Sequence, residues 1–280
     1  MLKRNYYYLV AGLPDILLDE RKIQFTLAEF KQELKIHLHP KDYQLAEYLF
    51  LQYDNINFLN ILQKNEAEFN PLGNFSESFF NDEIKEPEKL PAYMKKFMEA
   101  YREGNPLYPN LSQENQLTWL YFDYMLGQKN QFLVDWFTAL RNVNNILAIY
   151  NCRKFGLNIE NHMIGDYELT QAAKRTNAKD FGLSNEFGYI DEIIGIFENN
   201  DILEQEISID LLKWKYLNIL NTFNYFTIER ILAFIIEFIM VDRWSKLDAV
   251  KSSEMFKKML QGLEKSIQYS KDFNINEKRR

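Results

Sequence analysis

Apolar side chains along this chain recur at intervals of three and four over most of its length, which is the periodicity of helices that bury one face. Tyr43, Ala46, Leu49, Phe50 and Tyr53 follow Pro40 in this way, and Pro40 suits a first helical turn. Thr26-Leu27-Ala28-Glu29 has the spacing of a capping box and starts a helix to about Ile36. Pro91 opens a short helix that Gly104 closes, and Ser112 caps another that ends at Gly127. Gln131 to Phe155 reads as one long helix stopped by Gly156, followed by loops at Gly156–Gly165 and Thr176–Gly188 around a short helix. Phe187–Glu198, Ser208–Asn221, Thr227–Ser245 and Ser253–Tyr269 complete the set. No proline follows Pro109, so the second half is free to form long helices. The one candidate for extended structure is Tyr6 to Val10, whose aromatic and branched residues suit a strand as well as a turn or two of helix. The expected fold is all-α.

The helix from Thr227 is the most apolar. Ile228, Ile231, Leu232, Phe234, Ile235, Ile236, Phe238, Ile239, Met240 and Val241 cover an arc of about 260 degrees, leaving Glu229, Arg230 and Glu237 in a narrow strip. Such a helix requires neighbours on several sides, and it is expected at the centre of the C-terminal half. Glu237 interrupts the run, which is too short to cross a bilayer, a task that needs about 20 apolar residues.

Gly104-Asn105-Pro106 and Pro109-Asn110 form the clearest break. The expected organisation is an N-terminal helical lobe, 1–108, and a C-terminal helical lobe, 109–280, or one continuous domain across both. Asp54-Asn55-Ile56, with Leu59 and Leu62, and Asn144-Asn145-Ile146, with Ile149 and Tyr150, each follow an aromatic helix, and Leu217-Asn218-Ile219 is a fainter third copy. The spacings, about 90 and 73 residues, are too uneven for a solenoid but suit three degenerate helical repeats around an axis. Asparagine is also simply frequent in this chain. Buried Asn at such positions would bond to backbone groups of a neighbour.

Composition narrows the function classes. The net charge of −7 argues against a nucleic-acid partner, since phosphate needs a basic surface, and the basic Lys278-Arg279-Arg280 reads as a solvated tail. Aromatics reach 15%, a surplus that can serve partner contacts as well as the core. A single cysteine, Cys152, excludes an internal disulfide, fits a reducing compartment, and reads as a small buried side chain on a helix. No secretory signal is legible behind Lys3 and Arg4, so a cytoplasmic location is expected.

No constellation of residues points to catalysis. His37 and His39 are the one histidine pair, and on a helix residues two apart point about 200 degrees away from each other, so they cannot share a metal there. His162 sits in a polar loop. The ten glycines are scattered and carry no phosphate-binding loop. Pairs such as Asp123 with Asp135, or Asp191-Glu192, arise readily among 40 acidic residues and suit a solvated helix face. No catalytic, cofactor-binding or metal-ligating residue is assigned.

The opening Tyr6-Tyr7-Tyr8-Leu9-Val10-Ala11-Gly12-Leu13-Pro14 resembles that of a family of uncharacterised bacterial proteins encoded among V-type ATPase genes. Tyr121-Phe122-Asp123-Tyr124, Asn144-Asn145-Ile146 and Arg153-Lys154-Phe155-Gly156 fall in the order of one repeat of the V-type ATPase central-stalk subunit, C in prokaryotes and d in eukaryotes. Phe226 to Phe234, through Glu237, is similar to its last repeat. The chain is shorter than typical subunits of that kind, and the Asp54-Asn55 copy lacks a closing arginine. The resemblance implies a funnel-like body of helical repeats seated on the membrane rotor ring, with the rotor axle in its mouth. It implies no active site, a peripheral place on the cytoplasmic face, and the other ATPase subunits as partners. On this resemblance Tyr6, Tyr7, Gly12, Pro14, Asp54, Asn55, Asn144, Asn145, Arg153 and Glu237 are the motif or structural positions. The alternative is a helical protein-binding scaffold unrelated to the ATPase.

Overall fold

The computed structural model describes residues 4–14, 16, 25–199 and 201–246. Among these residues there are eleven α-helices and no strand: α1 (Tyr7–Ala11), α2 (Leu27–His37), α3 (Pro40–Gln63), α4 (Glu77–Glu83), α5 (Ala92–Arg102), α6 (Gln113–Leu126), α7 (Gln131–Phe155), α8 (Glu168–Arg175), α9 (Tyr189–Phe197), α10 (Ile202–Asn221) and α11 (Ile228–Ser245). The all-α fold agrees with the periodicity. The helix expected at Ser253–Tyr269 and the basic tail lie outside the described residues.

Local chemistry sets most of the ends. Thr26 Oγ1 accepts the Glu29 N–H at 3.2 Å while Glu29 Oε2 accepts the Thr26 N–H at 2.6 Å, a reciprocal cap that satisfies two orphan donors at the start of α2. Ser112 caps α6 through the Asn115 N–H at 3.2 Å, and Asn130 caps α7 through the Leu133 N–H at 3.1 Å. Gly156 ends α7 in the left-handed region at φ 67°, where a Cβ would be strained, and the Leu157 N–H returns to the Cys152 carbonyl at 2.8 Å. The segment open to strand or helix is helical. Gly12 N–H reaches back to the Tyr8 and Leu9 carbonyls, and the Tyr6 N–H donates to the Phe226 carbonyl at 2.7 Å.

Two compact units divide the chain, one formed by Pro40–Ile194 and the other by the segments before residue 40 and after residue 194. The break at Gly104–Asn110 therefore lies inside the first of these, as a loop between the packed helices α5 and α6. In the contiguous unit α6 packs against α3, α5 and α7, with α4 against α3 and α8 against α7. Its core is aromatic and thioether-rich: Phe50, Phe58, Phe80, Met94, Met98 and Met125 are fully buried with Leu133, Ile146 and Ile149. Tyr121 and Phe122 both meet Phe137 edge-on, with ring centroids 5.5 and 5.8 Å away.

The discontinuous unit packs α11 against α10 and against α2. The interior of this unit joins segments far apart in the sequence: the Phe30 ring of α2 meets Phe234 of α11 at 5.0 Å, edge-on, and Phe238 at 6.1 Å. The strip of α11 expected to be polar is itself covered. Glu229 and Glu237 are buried and Arg230 is half-buried, so this helix is enclosed around nearly its whole circumference.

Candidate interaction surface and buried polar clasps

The discontinuous unit carries an exposed aromatic surface. Tyr7 and Tyr8 stand on α1; Phe223, Tyr225 and Phe226 stand in the short connection between α10 and α11. The two segments are fastened together by the Tyr6–Phe226 backbone hydrogen bond and by contact of the Tyr7 and Phe226 rings at 4.8 Å. The Tyr6 hydroxyl accepts the His39 N–H at 3.4 Å, which ties α1 to the end of α2. Tyr8 is 87% exposed and Phe223 85% exposed, and Ile219 extends the apolar character onto the last turns of α10. Large side chains left in water in this density are the usual mark of a surface that another molecule covers.

The same unit holds a buried carboxylate on α10. Asp210 accepts the Trp244 indole N–H at 2.8 Å, an Arg243 guanidinium N–H, and the Lys213 ammonium at 3.3 Å. Glu237, earlier on α11, lies 3.5 Å from the Arg230 guanidinium. Burial pushes the Glu237 carboxyl up to about 7, and Arg230 pulls the other way without cancelling it.

The contiguous unit contains two clasps of the same design. Asn57 on α3 accepts the Asn70 N–H at 2.8 Å and donates to the Asn70 carbonyl at 2.8 Å, so one amide satisfies both backbone groups of a loop residue. Asn145 on α7 does the same to Ile164, at 2.9 and 2.7 Å. Three residues before each Asn stands a second buried polar side chain. Asp54 accepts the N–H groups of Asn74 and Phe75, at 2.8 and 3.1 Å, and the Asn74 side-chain amide at 2.7 Å. Asn142 donates to the Tyr189 hydroxyl at 2.8 Å. The Tyr167 hydroxyl accepts from Asn145 at 2.9 Å and its ring lies 3.7 Å from the Arg141 guanidinium. Each clasp thus folds the segment after a long helix back onto that helix. Gly73 is required at the first: a Cβ there would sit 2.5 Å from Asp54 Oδ1.

Asp54 and Asn145 are thus clasp residues. Asn55 is half-buried and accepts the Tyr93 hydroxyl at 2.6 Å instead, a phenol that burial keeps protonated. Asn144 is half-buried on α7, and Asn218, in the expected third copy, is exposed on α10. Arg153 donates to the carbonyls of Ala173, Thr176 and Ala178, at 3.2, 2.6 and 2.8 Å, closing the C-terminal end of α8. Tyr6, Tyr7 and Gly12 belong to α1 and its cap, and Pro14 is half-buried just beyond. The residues not singled out in the sequence are Asn57, Asn142, Phe223 and Tyr225. For the first two the legible signal is a polar pair three apart within an otherwise apolar helix arc. For the others it is a run of aromatics in a turn that polar residues normally fill.

Side chains with reactive potential are dispersed. Among the described residues no group of three or more His, Cys, Asp or Glu side chains is arranged to hold a metal ion. His37 lies 3.6 Å from Glu33 on the exposed face of α2. Burial pushes the Cys152 thiol up, favouring its protonated form. No helix among the described residues is long and apolar enough to cross a membrane.

The sequence profile of the family described as "Protein of unknown function (DUF2764)" matches residues 3–267. The chain belongs to this family. That span takes in both compact units, so the aromatic surface and the two clasps all fall within the DUF2764 match. No curated protein matches the chain.

Proposed function

We propose that this chain is a non-catalytic, C/d-like central-stalk subunit of a V-type ATPase that couples the rotor axle to the membrane ring. The observation that carries this reading is the repeated clasp: Asp54 with Asn57 on α3, and Asn145 on α7, each fix the loop after a long helix, while Asn142 ties α7 to Tyr189 of α9. A body built of helical repeats, each stiffened by a buried polar lock, suits a part that transmits torque and makes no bonds. The motif order along residues 121–156 and 226–237 supports the same assignment. The aromatic surface on α1 and the α10–α11 connection offers rigid anchors for a neighbouring subunit. The net charge of −7 suits a basic axle and disfavours nucleic acid. In this reading the protein is cytoplasmic, peripheral on the membrane complex, and uses no cofactor.

The exposed aromatics equally favour a second reading, a helical scaffold that binds a protein unrelated to the ATPase. Affinity capture of the tagged full chain from its native cells separates the two. Recovery of V-type ATPase axle and ring subunits is expected, and their absence among the recovered partners rejects the stalk assignment.

A further inference from the structure

We infer that the contiguous unit carries a receptor for one arginine side chain presented by a partner protein. Between the loop that precedes α6 and the loop that precedes α8 lies a cleft of about 250 Å³. That is below the roughly 300–1,000 Å³ of clefts that enclose drug-sized ligands, so its natural occupant is a single side chain. Tyr108 and Trp119 line one side, and their rings stack on each other at 3.8 Å between centroids and 4° between planes, which leaves an outer face for a further planar group. Met163 is buried at the base. Glu160, Asp166 and Lys174 stand at the rim, all exposed. Lys174 lies 3.8 Å from Glu160 and offsets that charge, while Asp166, which accepts the Gln171 amide at 3.3 Å, leaves one acidic side chain in excess of the one lysine on the lining.

Planar aromatic wall, apolar base and surplus carboxylate are the three contacts that a guanidinium uses together. Its face stacks on rings, its methylene stem covers apolar surface, and its fork meets a carboxylate. An ammonium would gain the charge but not the stacking, and an apolar side chain would gain neither. The chain's net charge of −7 favours a basic partner in the same sense. The partner is defined by this chemistry alone, so the inference stands whether or not that partner belongs to an ATPase.

The test uses the full chain labelled with ¹⁵N and follows the four Trp indole signals by NMR, with Trp119→Phe identifying its own. The probe is Nα-acetyl-arginine methylamide, compared with the lysine and norleucine analogues at matched ionic strength. The expected result is a saturable shift of the Trp119 signal, strongest for arginine. Asp166→Asn is expected to weaken the arginine response about threefold or more while leaving the other three indole signals in place. No saturable shift, an equal response to norleucine, or undiminished binding by Asp166→Asn would overturn the assignment.

Discussion

Asn145 and Ile164 exchange two hydrogen bonds, side-chain amide to backbone, at 2.7 and 2.9 Å, in the way two strands of a sheet pair. Both residues are buried, so neither backbone group of Ile164 has access to water if the amide is lost. Asn145→Leu should therefore destabilise the protein by roughly 2–4 kcal/mol, from two orphaned backbone groups at about 1–3 kcal/mol each, partly relieved by relaxation. Asn57→Leu should cost less, roughly 1–2 kcal/mol, because Asn70 is only half-buried and its backbone groups can reach water. Urea denaturation followed by circular dichroism reads both, and a change under 0.5 kcal/mol in either would show that the clasp is incidental.

Gly73→Ala places a methyl group 2.5 Å from Asp54 Oδ1 and 3.2 Å from Asn57 Nδ2. The first clasp must open to admit it, at a cost of roughly 1–3 kcal/mol. Gly104→Ala, at φ 64° with open space around it, carries only the backbone penalty of about 1 kcal/mol and serves as the comparison. The clasp predicts a larger fall in melting temperature for Gly73→Ala; equal falls would contradict it.

Glu237 makes stability depend on pH in a direction opposite to most paired carboxylates. Its folded value, about 7, lies above the ordinary 4.5, so between those values the folded protein holds more protons than the unfolded chain. Stability contributed by the protonated form is complete below about pH 4.5, declines as pH rises to about 7, and is absent above it. Glu237→Gln removes that decline. The variant should gain on the parent by roughly 1–3 kcal/mol between pH 5 and pH 8. Parallel pH profiles of melting temperature would refute this.

Tyr8 and Phe223 are so exposed that Tyr8→Ser and Phe223→Ser should change stability by no more than about 0.5 kcal/mol. Capture of partner proteins by the double variant should nonetheless fall by about tenfold, as for loss of an aromatic hot spot. Retained capture would remove this face from the interface.

Much of the architecture is written locally. Thr26 with Glu29, Ser112, Asn130 and Gly156 set helix ends through bonds to residues a few places away, and periodicity supplies the rest. Two boundaries are less legible. The α4 helix is two turns opened by Ser76, too short for a periodic signal, and α10 begins several residues early because Asp201 accepts the Leu203 and Glu204 N–H groups. The clasps are legible as buried polar residues but not in register. Adjacent Asn residues point to different sides of a helix, so Asp54-Asn55 and Asn144-Asn145 look alike in sequence, whereas the working pairs are three apart. Which loop or helix each of these residues holds is a long-range fact that spacing does not encode. The pairing of α2 with α11, through Phe30 and Phe234, is equally beyond local reach.

That last pairing has a consequence for how the molecule comes into being. The Pro40–Ile194 unit is one uninterrupted stretch and has all its residues as soon as it leaves the ribosome. The other unit cannot close until α11 has been made, and until then Phe30 of α2 lacks the Phe234 and Phe238 rings that it meets. Birth of this protein is thus sequential, its inserted middle maturing first and its two ends meeting last.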